Sequence, residues 1–206
     1  MSLAAFFFAA PAVGGKVTGK VTIQGAKKDS SHAVVYLEGV PDDGKAPPPP
    51  KMWQRDKQFD PQVVVVVKGQ SIEFPNGDSF FHNVFSVSKA ARFDLGLYKS
   101  GESKGVTFKR AGVVDVYCNI HPQMVAKILV VENRYFAKTS KTGEFAIEGV
   151  PAGTYSIVGW LSHGKPWKGT VTVVDGKAAK VDIPLVEDKG SEDHVRKDGT
   201  PYGRYK

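Results

Sequence analysis

The 206-residue chain contains a single cysteine, Cys118, so no intrachain disulfide can staple it. No segment reaches about 18 consecutive apolar residues, the length a transmembrane helix needs, and that element is excluded. Helical patterning is missing too. No window longer than about ten residues repeats its apolar positions with a 3.6 period, and glycine or proline interrupts nearly every candidate. There is no recognition helix and no basic-aromatic RNA motif, so the net charge of +7 does not by itself argue for nucleic acid. No Lys or Arg precedes Lys16, and the apolar stretch "LAAFFFAAPAVGG" therefore lacks the charged start of a complete secretory signal.

What remains is a globular composition, 41% hydrophobic and 24% charged, with 22 Gly and 13 Pro to punctuate it. Strand signals dominate, such as the β-branched run Val63 to Val67, and predict an all-β fold. The length allows one large domain or two small ones. Residues 1–14 read as a leader remnant or an altered start, running from an apolar core into a small-residue cleavage zone, and the expectation is a periplasmic or otherwise exported protein. The four prolines Pro47 to Pro50 cannot join a sheet and form an extended spacer. From Glu187 onward the chain carries five acidic and five basic residues and few apolar ones, and is expected to be a mobile tail or to drape over the surface.

The segment "VVDVYCNIHPQMVAKILVV" concentrates the chemistry. Strand alternation points Val114, Val116 and Cys118 one way, and puts Met124, Ala126, Ile128 and Val130 on one face of the next strand. Between them His121 sits in a short loop stiffened by Pro122. A thiolate, an imidazole and a thioether at C-x2-H-x2-M are donors that favour copper over magnesium or calcium. His82, in "FPNGDSFFHNVFS", supplies a second imidazole, and burial among Phe80, Phe81 and Phe85 would keep it neutral, as a metal requires. Two histidines and a cysteine with a long axial methionine are the blue-copper donor set, which shuttles one electron.

The run "GESKGVTFKRAGVVDVYCNIHPQMVAKILVV" resembles the last strands of a cupredoxin, and His82-Asn83 resembles the first-ligand position of plastocyanins and amicyanins. The short ligand loop is more similar to amicyanin. With "MWQRDKQFDP" and "FDLGLY" added, residues 52 to 151 resemble exported plastocyanin-like proteins labelled for methylamine utilisation. The resemblance implies a Greek-key β-sandwich over 51–132 holding one type 1 copper on His82, Cys118, His121 and Met124. It also implies that Asn83 ties the two ligand loops together by hydrogen bonding.

Each residue also has a plainer reading. A lone cysteine is usually a small buried hydrophobe, His82 can be a satisfied core histidine, Met124 can be packing only, and Asn83 can be a turn or bulge residue. A Cys118-His121 nucleophile pair lacks an orienting third group and any oxyanion element, so the chain is not read as an enzyme. Zinc suits Cys and His, but the thioether argues against it. His32, His163 and His194 fall in loops or the tail and read as solvated.

Residues 15–40 and 136–186 resemble the two halves of a carboxypeptidase regulatory-like, transthyretin-like β-sandwich, with turns at Lys141-Thr142-Gly143 and Pro151-Ala152-Gly153. The expectation is a structural module split by insertion of the copper domain. The competing arrangement makes residues 15–40 an extension of the cupredoxin sheet. Between His82 and Val131, seven Lys/Arg outweigh three Asp/Glu. That bias suits an acidic redox partner such as a c-type cytochrome or a dehydrogenase, approached by a monomer with no membrane span. The alternative function is copper storage or a purely structural role without electron transfer.

Overall fold

Alternating β-branched residues and frequent glycine turns leave the chain little choice but strands. The computed structural model describes residues 14–25, 33–188 and 194–201, and among them there is no helix, hence none long and apolar enough to cross a membrane. The leader expected at residues 1–14 lies, up to residue 13, outside the described residues, as does His32. The chain divides into two compact units, Met1–Val40 with Tyr135–Glu187, and Pro41–Arg134 with Asp188–Lys206.

In chain order the first unit contributes β1 (Gly15–Gln24) and β2 (Val34–Glu38). The second unit follows with β3 (Trp53–Arg55), β4 (Gln58–Asp60), β5 (Val63–Val67), β6 (Ser71–Pro75), β7 (His82–Val87), β8 (Arg92–Tyr98), β9 (Ser103–Thr107), β10 (Gly112–Tyr117) and β11 (Val125–Val131). The first unit is then completed by β12 (Phe136–Lys138), β13 (Glu144–Val150), β14 (Gly153–Trp160), β15 (Trp167–Val173), β16 (Ala178–Lys180) and β17 (Ile183–Val186).

In the first unit β1 pairs antiparallel with β13 and parallel with β16 and β17, while β12, β2, β14 and β15 make a second sheet in that order. Alternation along β1 turns Val17, Val21 and Ile23 inward, where they meet Val35 and Leu37 of β2, Ile157 of β14 and Val171 of β15. Each such side chain contributes about 1.5–3 kcal/mol by leaving water. The core is thus filled from both sheets, and β1 has all its ladder partners in residues 144–186.

In the second unit a five-stranded sheet runs β5-β11-β10-β7-β8, and β6-β9 forms a two-stranded ribbon. Ile72 and Phe74 from the ribbon share a core with Val64, Val66, Val84, Val114, Val116, Ile128 and Val130 from the large sheet. The valine run is the one parallel strand, β5 along β11, and four of its five residues are buried, which accounts for its unbroken apolarity. A short hairpin, β3-β4, turns through Asp56 and Lys57, whose φ angles of 52° and 55° are the positive pair that a two-residue primed turn demands. Pro47 to Pro50 belong to no strand.

Candidate metal centre

Two neighbouring strands carry the site. Strand β7 begins at His82, and β10 ends at Tyr117, one residue before Cys118; the two are paired through Tyr117 and Phe85. The loop from β10 to β11 is short and closed on itself: the Cys118 amide donates to the Met124 carbonyl at 3.2 Å, and the Met124 amide to the His121 carbonyl at 3.0 Å. That closure folds His121 back over Cys118. The Cys118 Sγ lies 3.9 Å from His82 Nδ1 and 3.7 Å from His121 Nδ1, and the two Nδ1 atoms are 3.1 Å apart.

Such distances have a chemical meaning. Bonds of about 2.0 Å to imidazole nitrogen and about 2.3 Å to thiolate place the donors of one ion roughly 3.3–3.8 Å apart. The three observed separations straddle that range, and these three donor atoms are the group among the described residues able to hold a metal ion. Met124 is fully buried at the end of the same loop. His82 and Cys118 are sealed from solvent, whereas His121 is half-buried. The ring of Phe80 stands edge-on to both imidazoles, 5.2 Å from His82 and 5.5 Å from His121 between centroids.

Burial pushes the Cys118 thiol up, against the pull of the backbone amides of Asn83, Ile120 and His121 that face the sulfur. Burial also pushes His121 down, helped by the neighbouring His82 ring and Lys57 and opposed by Asp78. Without a cation the site therefore holds a thiol and a neutral imidazole, and a metal must displace the thiol proton to bind.

Two expectations need correction in detail, those for Phe81 and His194, and the hydrogen bond expected of Asn83 takes a specific form. Phe81 is 54% exposed and does not wall in His82; Phe80 does so by its edge, while Phe85 is buried and packs against Tyr117. Asn83 is buried, but its side-chain amide donates to Asp94 at 2.7 Å on the adjacent strand, and its link to Cys118 is made by the backbone amide instead. His194, read as solvated, is half-buried with its ring stacked on Tyr117 at 4.3 Å. Nearby Lys197 donates from its amide to Asn119 Oδ1 at 3.0 Å and from Nζ to Asp94 at 2.5 Å. His163 belongs to the first unit.

The residue that sequence reasoning missed is Asp78, whose Oδ2 lies 2.7 Å from His82 Nε2. Its other contacts are backbone: the amides of Asp56 and Lys57 donate to it at 2.7 and 3.1 Å. Burial would raise this carboxyl, but the bonds from His82, Lys57 and Asp56 together hold it below the ordinary carboxylate range. Beneath the site Tyr98, paired with His82 across the strands, donates to the Phe74 carbonyl and accepts from Gln54 Nε2, with its hydroxyl pKa raised by burial.

No curated protein matches the chain significantly. Among solved structures, a novel purple cupredoxin from Nitrosopumilus maritimus is 20% identical, covering 39% of this chain and 98% of its own at a TM-score of 0.36. A reduced tryptophan-to-tyrosine mutant of amicyanin is 22% identical, covering 48% of this chain and 99% of its own at 0.38. A Cu(I) methionine-to-alanine mutant of amicyanin is 21% identical, with the same coverage and score. Residues 51–131, the stretch that contains His82, Cys118, His121 and Met124, match the family model of copper binding proteins of the plastocyanin/azurin family.

Proposed function

We propose that the second unit binds one type 1 copper ion and works as a one-electron carrier rather than as an enzyme. The observation that carries this reading is the convergence of two imidazole Nδ1 atoms and one thiol sulfur within 3.9 Å of one another. His82, His121 and Cys118 would hold the ion, with Met124 as a further thioether donor. This soft, mixed set suits copper, and the bound ion would supply a Cu(II)/Cu(I) couple.

The chain's own residues make that couple usable. The amides of Asn83, Ile120 and His121 spread the charge of the Cys118 thiolate once its proton has left. Strands β7 and β10 fix two donors to a paired framework, so the donor positions need change little between oxidation states. His121 alone of the three reaches the surface, beside Phe80, and offers an electron the short way out. The excess of Lys and Arg between His82 and Val131 favours a partner with an acidic face, such as a c-type cytochrome or a dehydrogenase, met in the periplasm or another exported compartment. We read the first unit as a carboxypeptidase regulatory-like module interrupted by the copper domain and serving a structural role.

Voltammetry of the copper-loaded protein tests the carrier role. The expected result is a reversible one-electron couple with copper retained through repeated cycles. Tight copper binding that releases the ion on reduction, or shows no reversible couple, would instead establish the storage reading.

A further inference from the structure

We propose that Asp78 is the positioning residue of this centre: its carboxylate holds the proton of His82 on Nε2, so that the Nδ1 lone pair faces Cys118 and His121, and its charge favours the more highly charged ion there. The second half of this inference rests on the copper reading above. The first half stands without it.

An ionised carboxylate only accepts, and a neutral imidazole carries one N–H. With Asp78 Oδ2 at 2.7 Å from Nε2, that nitrogen carries the hydrogen and Nδ1 is left bare. Nδ1 is the atom that lies 3.1 Å from His121 Nδ1 and 3.9 Å from the sulfur. A carboxylate behind a metal-binding imidazole fixes its ring and tautomer and raises its basicity.

Asp78 is itself held. Its amide donates to Asn76 Oδ1 at 2.9 Å, and Asn76 Nδ2 donates to the Phe80 carbonyl at 2.8 Å, which staples the loop ahead of His82. The amides of Asp56 and Lys57 point at the carboxylate because both residues take positive φ in the β3-β4 turn. A hairpin that supplies no metal donor thereby sets the orientation of one. Asp78 is 9% exposed, so little water screens its charge.

The test uses the full chain and three forms: wild type, Asp78→Ala and Asp78→Asn. In metal-free wild type, nitrogen-15 NMR of the His82 ring should show the hydrogen on Nε2, and Asp78→Ala should move or mix the tautomer. A wild-type ring protonated on Nδ1 overturns the proposal with no variant needed. In chelator competitions Cu(II) affinity should fall about 10- to 100-fold in Asp78→Ala, with Cu(I) affinity falling less. Asp78→Asn, whose single oxygen can still accept from His82 and Lys57 at the Oδ2 position while the Asp56 amide at Oδ1 loses its acceptor, should reproduce the unequal loss by removing the charge. Equal losses for the two ions in both variants refute the charge effect. If wild type binds no copper, the proposed function fails, and the tautomer in the metal-free protein decides the role of Asp78.

Discussion

Gly19 sits in the middle of β1 where the chain between β16 and β17 crosses it, and a single methyl group there should measure how much the first unit depends on that crossing. A Cβ at Gly19 would lie 1.7 Å from the Val181 carbonyl oxygen and 2.7 Å from its carbon. Ordinary contact needs more than 3 Å, so the carbonyl must retreat by about 1.5 Å. It cannot do so freely, because the Val181 amide is bonded to the Thr18 carbonyl at 2.9 Å and Val21 is paired with Ile183. Overpacking of this kind costs about 2–3 kcal/mol, against which replacing a strand glycine by alanine returns about 0.5–1 kcal/mol. The net loss for Gly19→Ala is then about 2 kcal/mol, and at a urea slope of about 1.5 kcal/mol/M the midpoint should fall by about 1.3 M. Fluorescence of Trp160 and Trp167, both in this unit, reports the transition. Gly105→Ala in β9 of the second unit, followed through Trp53 of that unit, is the control: the nearest atom to its Cβ is 3.5 Å away, and the variant should be neutral or slightly more stable. A Gly19→Ala midpoint equal to wild type, or equal damage from both variants, would refute the reasoning.

Met124→Leu keeps the buried volume and removes the thioether, so the metal-free protein should change by less than about 1.5 kcal/mol. On the proposed function, a copper-loaded Met124→Leu protein should gain reduction potential by voltammetry, since a thioether donor there would favour Cu(II); an unchanged potential argues that Met124 only packs. Asp94 links Asn83 to the tail: burial would raise its carboxyl, but bonds from Lys197, Gly96 and Asn83 hold it below the ordinary value. A depressed carboxylate stabilises the fold above its unfolded value of about 3.9 and loses that contribution as pH falls through the lower folded value. In an acid titration by NMR, Lys197→Ala should therefore raise the Asp94 pKa and release the Lys197-region contacts at higher pH than in wild type. Identical titrations would show that the Lys197 ion pair contributes nothing.

The candidate site was legible because its chemistry is rare and its spacing local. Cys118, His121 and Met124 lie within seven residues, and strand alternation alone turns Cys118 inward with Val114 and Val116. His82 needed only a second imidazole to be sought. Asp78 was hidden for the opposite reason: "NGDS" reads as an ordinary turn, and indeed the Asp78 amide meets Asn76 Oδ1 there. Its role appears only when a hairpin about twenty residues earlier presents two amides to its carboxylate. The one local signal was a carboxylate four residues ahead of a histidine. Asn83 meets Cys118 through its backbone amide, whereas its side chain turns to Asp94 of β8, a partner that only the pairing of β7 with β8 supplies. His194 was misjudged because tail composition does not reveal that an aromatic ring, Tyr117, is available to stack on.

The central claim is that Cys118 is a copper thiolate flanked by His82 and His121. Titrating the metal-free protein with Cu(II) while recording the visible spectrum tests it most directly. An intense thiolate-to-copper charge-transfer band should rise, saturate at one equivalent and be absent in a Cys118→Ser variant whose circular dichroism matches wild type. A colourless wild-type protein, or a band that survives in Cys118→Ser, would contradict the account.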